Sequence, residues 1–323
     1  MRTLGLALAV LVALAGQALS QSALPTVGYL GSENPEAFAT RLDSFKHGLA
    51  SLGFEEGRGV RLDYRWADSH NDRLPDLAAE LVARKVDVIA VPGSLAAALA
   101  AKGATSSIPI VFETGADPIA AGLIQSLSRP GSNITGVTSL NAAVVPKRLE
   151  LLHALVPKAR TAAMLANPAN AANAAPTIRD ATAAAERLGI KLQLFSATRE
   201  EEFASAFEAM ERAQVDMVLI ANETLFNRPL VFATLAQKHR LPTAHQAPEF
   251  AQAGGLLSYG GDVSESHRLA GVYAGRLLKG ERPATLPVQQ VTKLVMAVNL
   301  RAAKALGLTV PLHVLSAAQE VIE

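Results

Sequence analysis

Several apolar stretches of this chain end in small polar or charged residues that could hold a small molecule. Ser94 follows the strand-like stretch Val86–Val91 and precedes an alanine-rich helical stretch, while Thr114 and Asp117 follow Ile108–Phe112. A hydroxyl at a helix N-terminus lies beside free backbone N–H groups, and together they can bind an anion or a carboxylate. Ser94 could equally be a plain helix cap, and Asp117 could simply cap a turn.

The second half of the chain carries a corresponding set of residues. Asn222 and Glu223 follow one apolar stretch, and His245 and Gln246 follow the next. A carboxylate at Glu223 facing the helix N-terminus at Ser94 suits a zwitterion such as an amino acid, because the two sides would hold opposite charges. Glu223 could instead be another helix cap or a solvated loop acid, and His245 and Gln246 could be loop residues that satisfy the local backbone.

Ser32, Thr138 and Tyr259 complete the candidate set. Ser32 ends the first strand-like stretch, Thr138 closes a stretch that starts at a Pro-Gly turn, and Tyr259 lies in the glycine-rich stretch GGLLSYGG. Glu113 could face solvent, and Thr114 is the better contact because a short hydroxyl near the hinge loses little entropy on ordering. The predicted ligand-binding residues are therefore Ser32, Ser94, Thr114, Asp117, Thr138, Asn222, Glu223, His245, Gln246 and Tyr259.

No pattern for catalysis or metal binding accompanies these residues. The sequence has no G-x-S-x-G, no G-x-x-x-x-G-K and no H-E-x-x-H motif, and its seven histidines are not paired at metal-ligand spacing. The absence of cysteine excludes disulfides, a lipid-modified N-terminal cysteine, thiolate metal sites and a cysteine nucleophile. We therefore predict no catalytic residue, no cofactor and no metal site.

Strand-like apolar runs alternate with helical repeats from residue 26 to residue 112, and the same order starts again at Thr161. There, Thr161–Ala166 is predicted to be a strand and Pro176–Leu188 the helix that follows it. Continuous apolar runs suit parallel strands that are covered on both faces. Three segments match between the halves in the same order: Ser51–Phe54 with Arg187–Ile190, Lys85–Ile89 with Gln214–Val218, and Ile108–Pro109 with Leu241–Pro242. The pattern predicts an α/β fold of two similar, doubly wound parallel-sheet lobes joined by hinge strands.

Three segments are predicted to cross between the lobes: residues 129–138, 254–261 and, approximately, 286–293. Glycines in the second of these segments supply the backbone freedom that a hinge uses. We expect a first lobe of residues 26–139 plus about 262–290 and a second lobe of residues 140–261, to which about 291–323 return. The strand ends of both lobes would then face a shared cleft.

Residues 1–20 are predicted to be a cleaved signal peptide. Arg2 precedes the apolar run Leu4–Ala15, and Ala18 and Ser20 are small residues at the positions that a signal peptidase reads. An uncleaved anchor is the alternative, although the run is shorter than the roughly 20 residues of a membrane span. Because Arg2 leaves with this segment, the exported chain has 29 basic and 29 acidic residues. This balance does not favour binding to nucleic acid or to an anionic membrane.

A set of short segments resembles the ABC-transporter substrate-binding protein family, whose best-known branch includes the TrpX-like proteins. The segments are Gly53–Phe54, Tyr64–Ala67, Leu77–Ile89, Ile108–Phe112, Asp117–Pro118, Leu127–Thr138, Lys147–Leu152, Gly254–Gly260, Leu286–Val288, Asn299 and Ala305–Leu308. The chain departs from the family pattern at Gly31–Pro35, at Gln289–Lys293 and at Asn222–Thr224. Because the last departure falls where the aromatic-binding branch carries an acidic loop, the resemblance does not carry tryptophan over as the ligand.

The resemblance implies a type I periplasmic-binding-protein fold that is not an enzyme. It implies capture of a small organic ligand (an amino acid, aromatic or carboxylate compound) by lobe closure, and delivery to an ABC permease and its ATPase. Together with the export signal, it predicts a periplasmic protein, which we expect to be a monomer. A periplasmic sensory protein is the alternative, and a doubly wound enzyme is a weaker one.

Overall fold

The computed structural model describes residues 24–139 and 141–323, so the predicted signal peptide lies outside the described residues. Two sheets, each flanked by helices, organise the chain into two α/β lobes. Within the described ranges, no helix is long and apolar enough to cross a bilayer.

The first lobe is built on an all-parallel sheet with the order β11-β5-β4-β3-β1-β2. Its elements are β1 (Thr26–Gly31), α1 (Ala39–Ala50), β2 (Arg61–Trp66), α2 (Leu74–Ala83), β3 (Val88–Pro92), α3 (Leu95–Ala104), β4 (Ile110–Thr114), β5 (Ile134–Thr138), α9 (Val263–Leu278) and β11 (Gln289–Gln290). Short 3-10 turns at Asn71–Arg73 and Pro283–Thr285 complete it.

The second lobe is built on a sheet with the order β13-β12-β10-β9-β8-β6-β7, in which β12 runs antiparallel to β10. Its elements are α4 (Val145–Leu155), β6 (Thr161–Ala166), α5 (Ala171–Leu188), β7 (Lys191–Ser196), α6 (Phe203–Arg212), β8 (Met217–Ile220), α7 (Pro229–Lys238), β9 (Thr243–His245), α8 (Pro248–Gln252), β10 (Leu257–Gly261), β12 (Leu294–Asn299), α10 (Leu300–Ala305), α11 (Leu312–Ala317) and β13 (Glu320–Ile322). A 3-10 turn at Glu200–Glu202 precedes α6.

The two sheets share one strand order, because β2-β1-β3-β4-β5 corresponds to β7-β6-β8-β9-β10. The chain passes between the sheets after β5, after β10 and between β11 and β12. These features confirm the predicted fold of two similar doubly wound lobes joined by connecting strands.

Successive residues of the first sheet point into different cores, which explains its continuous apolar runs. Val88 and Ala90 of β3 pack on the face that α1 and α9 cover, whereas Ile89 and Val91 pack on the face that α2 and α3 cover. Both faces of the strand are therefore removed from water. Tyr29 belongs to the core under α1 and α9, and its ring centroid lies 5.2 Å from that of Trp66.

Helices α1 and α9 touch through their backbones. A Cβ atom on Gly48 would lie 1.8 Å from the carbonyl oxygen of Arg268, and one on Gly271 would lie 2.0 Å from that of Phe45. Glycine is required at both positions because any side chain would force the helices apart. This contact fixes the start of α1, which carries Arg41, relative to the start of α9, which carries His267.

The start of α5 differs from the prediction, which placed the helix at Pro176–Leu188. The helix begins five residues earlier, at Ala171, and Pro176 lies inside it. The four alanines before Pro176 have the highest helix propensity of any residue, which favours extension of the helix ahead of the proline. The extension places Asn173 on a helix facing the cleft.

Candidate functional site

A polar cavity lies between the strand ends of the two lobes. The space inside it, including the part that is open to solvent, is about 440 Å³. The first lobe and its connections line it with Arg41, Gly93, Leu95, Glu113, Thr114, Gly115, Ser139, Val263 and His267. The second lobe and its connections line it with Asn141, Asn170, Asn173, Asn222, Glu223, Thr224, Asn227 and Gln246.

Arg41 is a cation without a counter-ion in the first-lobe wall. Among the described residues, its guanidinium group has no hydrogen-bond or ion-pair partner, and it packs 5.0 Å from the ring centroid of Phe38. Burial lowers the pKa of Arg41, while the negative charges of Glu113, Glu249 and Glu33 act in the opposite direction. A planar guanidinium group in such a site can bind a carboxylate with two parallel hydrogen bonds.

Glu113, near the end of β4, is buried in the same wall. Its side chain is only 3% exposed, so the expectation that it could face solvent is wrong. Burial raises the pKa of Glu113, although contacts with Ser139 and Ser266 and the positive charge of Arg41 oppose that shift. A carboxylate that is desolvated at this position is stabilised by a charge-assisted hydrogen bond from an ammonium group.

His267 contributes a neutral imidazole ring to the cavity. Its Nδ1 atom lies 2.9 Å from the carbonyl oxygen of Val263, and a carbonyl can only accept, so Nδ1 must carry the hydrogen. Burial lowers the pKa of His267 to about 3, which keeps the ring uncharged near neutral pH. The Nε2 atom is therefore an acceptor, and it is buried without a partner among the described residues.

Glu223 in the second-lobe wall is enclosed by hydrogen-bond donors. Asn170 Nδ2 lies 3.2 Å from Oε1 and 3.0 Å from Oε2, and Asn173 Nδ2 lies 3.2 Å from Oε2. The backbone N–H of Thr224 donates to Oε1 at 3.0 Å. Burial raises the pKa of Glu223, and these donors counteract the shift. We call Asn170, Asn173 and the Thr224 N–H the amide cage of Glu223.

Four of the residues predicted from the sequence line this cavity: Thr114, Asn222, Glu223 and Gln246. Asp117 and Thr138 line a neighbouring groove, which shares Gly115 and Asn173 with the cavity. Asp117 also accepts backbone N–H groups of the following turn through Oδ1, at 2.8 and 3.1 Å. Asp117 therefore makes the contacts of a turn cap, which is the alternative role that its sequence position allowed.

The remaining four predicted residues, Ser32, Ser94, His245 and Tyr259, lie outside the cavity lining. Ser94 Oγ accepts the backbone N–H of Ala97 at 3.2 Å, as a helix cap does. Both ring nitrogens of His245 contact backbone groups at 3.0 Å, and burial lowers its pKa to about 4. Ser32 is buried, and Tyr259 packs half-buried against the second-lobe core.

Several lining residues were missed by the sequence analysis. Asn170 lies just beyond β6, and the strand-end rule applied to Thr161–Ala166 would have found it. Arg41 and His267 carry no comparable signal, because each lies in a helix and reaches the cavity through the packing of α1 against α9.

Direct contacts between the two lobes hold them together. Arg228 Nη2 in the second lobe donates to Glu33 Oε2 in the first at 2.6 Å, and both side chains are at most 10% exposed. Arg228 Nε also donates to Glu200 Oε2 at 2.9 Å within its own lobe. Thr224 Oγ1 donates to the carbonyl oxygen of Gly93 at 2.8 Å. We call the Glu33–Arg228 and Gly93–Thr224 pairs the inter-lobe latch.

A family model for ABC transporter substrate binding proteins matches residues 34–322, nearly the whole described chain. The chain belongs to this family. Its members are solute-binding proteins rather than enzymes, and they are extracytoplasmic. This result confirms the resemblance read from the sequence.

Relatives of this substrate-binding protein include amino-acid binders. A "tyrosine-binding protein" from Clostridioides difficile (strain R20291) is 25% identical over 83% of this chain and 77% of its own length. A Streptococcus pneumoniae ABC domain in complex with L-Trp is 25% identical, with a TM-score of 0.83 over 93% of this chain and 100% of its own. A ligand-free, open substrate-binding protein from Clostridium difficile has 24% identity and a TM-score of 0.63 over 93% and 99%.

Proposed function

We propose that this protein works outside the cytoplasm, where it captures a free amino acid between its lobes. It then delivers the amino acid to an ABC permease, which acts together with its ATPase. The single observation that carries the proposal is that one cavity is lined both by the guanidinium group of Arg41, which has no partner among the described residues, and by the buried carboxylate of Glu113. These two groups are complementary to the carboxylate and the ammonium of a zwitterion. The relatives that bind tyrosine and tryptophan support the same ligand class.

Roles for the other lining residues follow from their contacts. Arg41 binds the ligand carboxylate, Glu113 binds its ammonium group, and Thr114 and Asn222 supply further hydrogen bonds from the two lobes. Glu223 acts mainly through its negative charge, because the amide cage already occupies its lone pairs.

Calorimetric titration with amino acids and two kinds of derivative tests this proposal. We expect at least one free amino acid to bind, and its N-acetyl and methyl ester derivatives to bind at least 100-fold more weakly. Each derivative removes one charge and leaves either Glu113 or Arg41 without its ligand partner. Equal binding of the N-acetyl derivative, or no binding by any amino acid, would contradict the proposal. Stable retention of a histidine kinase instead of a permease would favour the sensory alternative.

Capture by lobe closure is supported by the inter-lobe latch. Replacing Arg228 with glutamine removes the positive charge that compensates buried Glu33. The open form is then stabilised relative to the closed form, because the Glu33 carboxylate is hydrated when the lobes are apart. We expect Arg228→Gln to enlarge the radius of gyration of the ligand-free protein and to weaken ligand binding about tenfold, or about 1.4 kcal/mol.

Arg199→Gln is the matched control for this experiment. Arg199 is 70% exposed and pairs with Glu202 inside its own lobe. Small-angle scattering and calorimetry should therefore give wild-type results for this variant. If Arg228→Gln behaves in the same way, the latch does not control closure.

A further inference from the structure

Two buried hydrogen-bond acceptors in the cavity have no partner among the described residues. They are Oε1 of Gln246 and Nε2 of His267. Gln246 is 5% exposed and His267 is 1% exposed, so water does not reach either atom freely. Leaving a buried acceptor unsatisfied costs about 1–3 kcal/mol, which a bound ligand with matching donors recovers.

In the structure, contacts on the other side of each side chain leave both atoms free to accept a hydrogen bond. Gln246 Nε2 donates to Asn227 Oδ1 at 2.9 Å, which leaves Oε1 directed away from that partner. The hydrogen of His267 is held on Nδ1 by the carbonyl of Val263, which leaves Nε2 with a lone pair. The two acceptors therefore call for N–H or O–H donors on the ligand.

Both acceptors are uncharged and they belong to different lobes. Gln246 follows β9 of the second lobe, whereas His267 belongs to α9, which packs on the first. A ligand group that satisfies both must carry at least two donor hydrogens and needs no charge. A primary carboxamide has this composition, because its NH₂ group donates twice.

The cavity offers little apolar surface to an aromatic side chain. Leu95 and Val263 are the larger apolar residues in its lining, and no phenyl, phenol or indole ring lines it among the described residues. An aromatic side chain buries about 150–250 Å² of surface on packing into a protein. In this cavity most of that surface would meet amides and carboxylates, which would lose their hydrogen bonds to water.

We infer that the ligand is an amino acid with a side-chain carboxamide, held by Arg41 and Glu113 at its α-carbon and by Gln246 and His267 at its amide. The inference rests on the proposed function and names the class of amino acid that the same cavity takes. It separates this chain from its relatives described as binding tyrosine or tryptophan.

Calorimetry with L-asparagine, L-glutamine, L-glutamate, L-methionine, L-tyrosine and L-tryptophan tests the inference. One of the two carboxamides should bind at least 100-fold more tightly than glutamate and methionine, which are close in size to glutamine but lack the side-chain amide. Tyrosine or tryptophan binding more tightly than both carboxamides would overturn the inference and leave the proposed function intact. If none of the six ligands binds, the inference is overturned and the proposed function is in question as well.

A variant of Gln246 provides a second, independent measurement. Gln246→Met keeps the length of the side chain and removes the acceptor, so the affinity for the preferred carboxamide should fall at least tenfold while that for methionine stays the same or rises. Gln237→Met, at an exposed position on α7, is the matched control and should change neither affinity. Equal losses of affinity for the carboxamide and for methionine would show that Gln246 does not bind the side-chain amide of the ligand.

Discussion

The two walls of the cavity are built on the same strand order but satisfy their polar groups differently. In the second lobe, Glu223 is enclosed by an amide cage that occupies its lone pairs in the absence of ligand. In the first lobe, neither Arg41 nor the Nε2 atom of His267 has a partner in the part of the chain that the structure describes. The second-lobe acid is therefore prearranged by its own lobe, whereas the first-lobe groups require an external partner.

This difference suggests separate consequences for stability and for binding. A group that is already satisfied inside the protein contributes to folding, and its loss destabilises the native state. A desolvated polar group that has no partner in the ligand-free protein destabilises that state, and its pairing with a ligand strengthens binding. Substitutions in the two walls should therefore have opposite signatures.

The largest effect is expected from Arg41→Gln. We expect ligand affinity to fall at least 100-fold, or about 2.8 kcal/mol, because the ligand carboxylate loses its guanidinium partner. The free energy of unfolding of the ligand-free protein should stay the same or rise, since a half-buried charge without a counter-ion among the described residues is removed. Calorimetry and urea denaturation measure both quantities, and Arg301→Gln at an exposed position is the control. A large loss of stability would show that Arg41 is structural.

The opposite signature is expected from Glu223→Gln. The amide nitrogen introduced there would face donors of the cage, so we expect the free energy of unfolding to fall by about 1–3 kcal/mol. Urea denaturation measures this loss, and Glu186→Gln on the exposed face of α5 should show none of it. A stable Glu223→Gln variant would mean that the cage does not hold a carboxylate.

A smaller effect is expected from Ser94→Ala. Because Ser94 Oγ caps α3 through the N–H of Ala97, its removal should lower stability by about 1 kcal/mol. Ligand affinity separates the two roles that the sequence left open for this hydroxyl. We expect ligand affinity to change less than threefold. A tenfold loss of affinity would show that Ser94 contributes to ligand binding.

The pH dependence of Glu113 sharpens the contrast further. Burial raises its pKa above the ordinary 4.5, so its protonated form stabilises the fold. That contribution is fully present below about pH 4.5 and is lost as the pH rises through the raised pKa. The stability of Glu113→Gln relative to wild type should therefore increase as the pH rises from 4.5. Denaturation at several pH values measures the difference, and a pH-independent difference would contradict it.

Particular elements show how far the sequence could predict this site. Glu223, Asn222, Thr114 and Gln246 were predicted as cleft residues because each follows a strand whose apolar run is visible in the sequence. Glu113 lies beside Thr114, but only the burial of the strand end distinguishes a carboxylate in the cleft from one in solvent. Asn173 was missed because Pro176 was taken as the start of α5.

The sequence by itself determined the two repeated α/β lobes, since the spacing of apolar residues and the glycine and proline positions are local properties. It also determined the family and the neighbourhood of the cleft, because strand ends define that edge of each sheet. Only the tertiary structure brought Arg41 and His267 to the cavity, through the glycine contact between α1 and α9. Only it paired Glu33 with Arg228, which are 195 residues apart, because long-range pairing depends on how the lobes meet and leaves no periodic trace in the sequence.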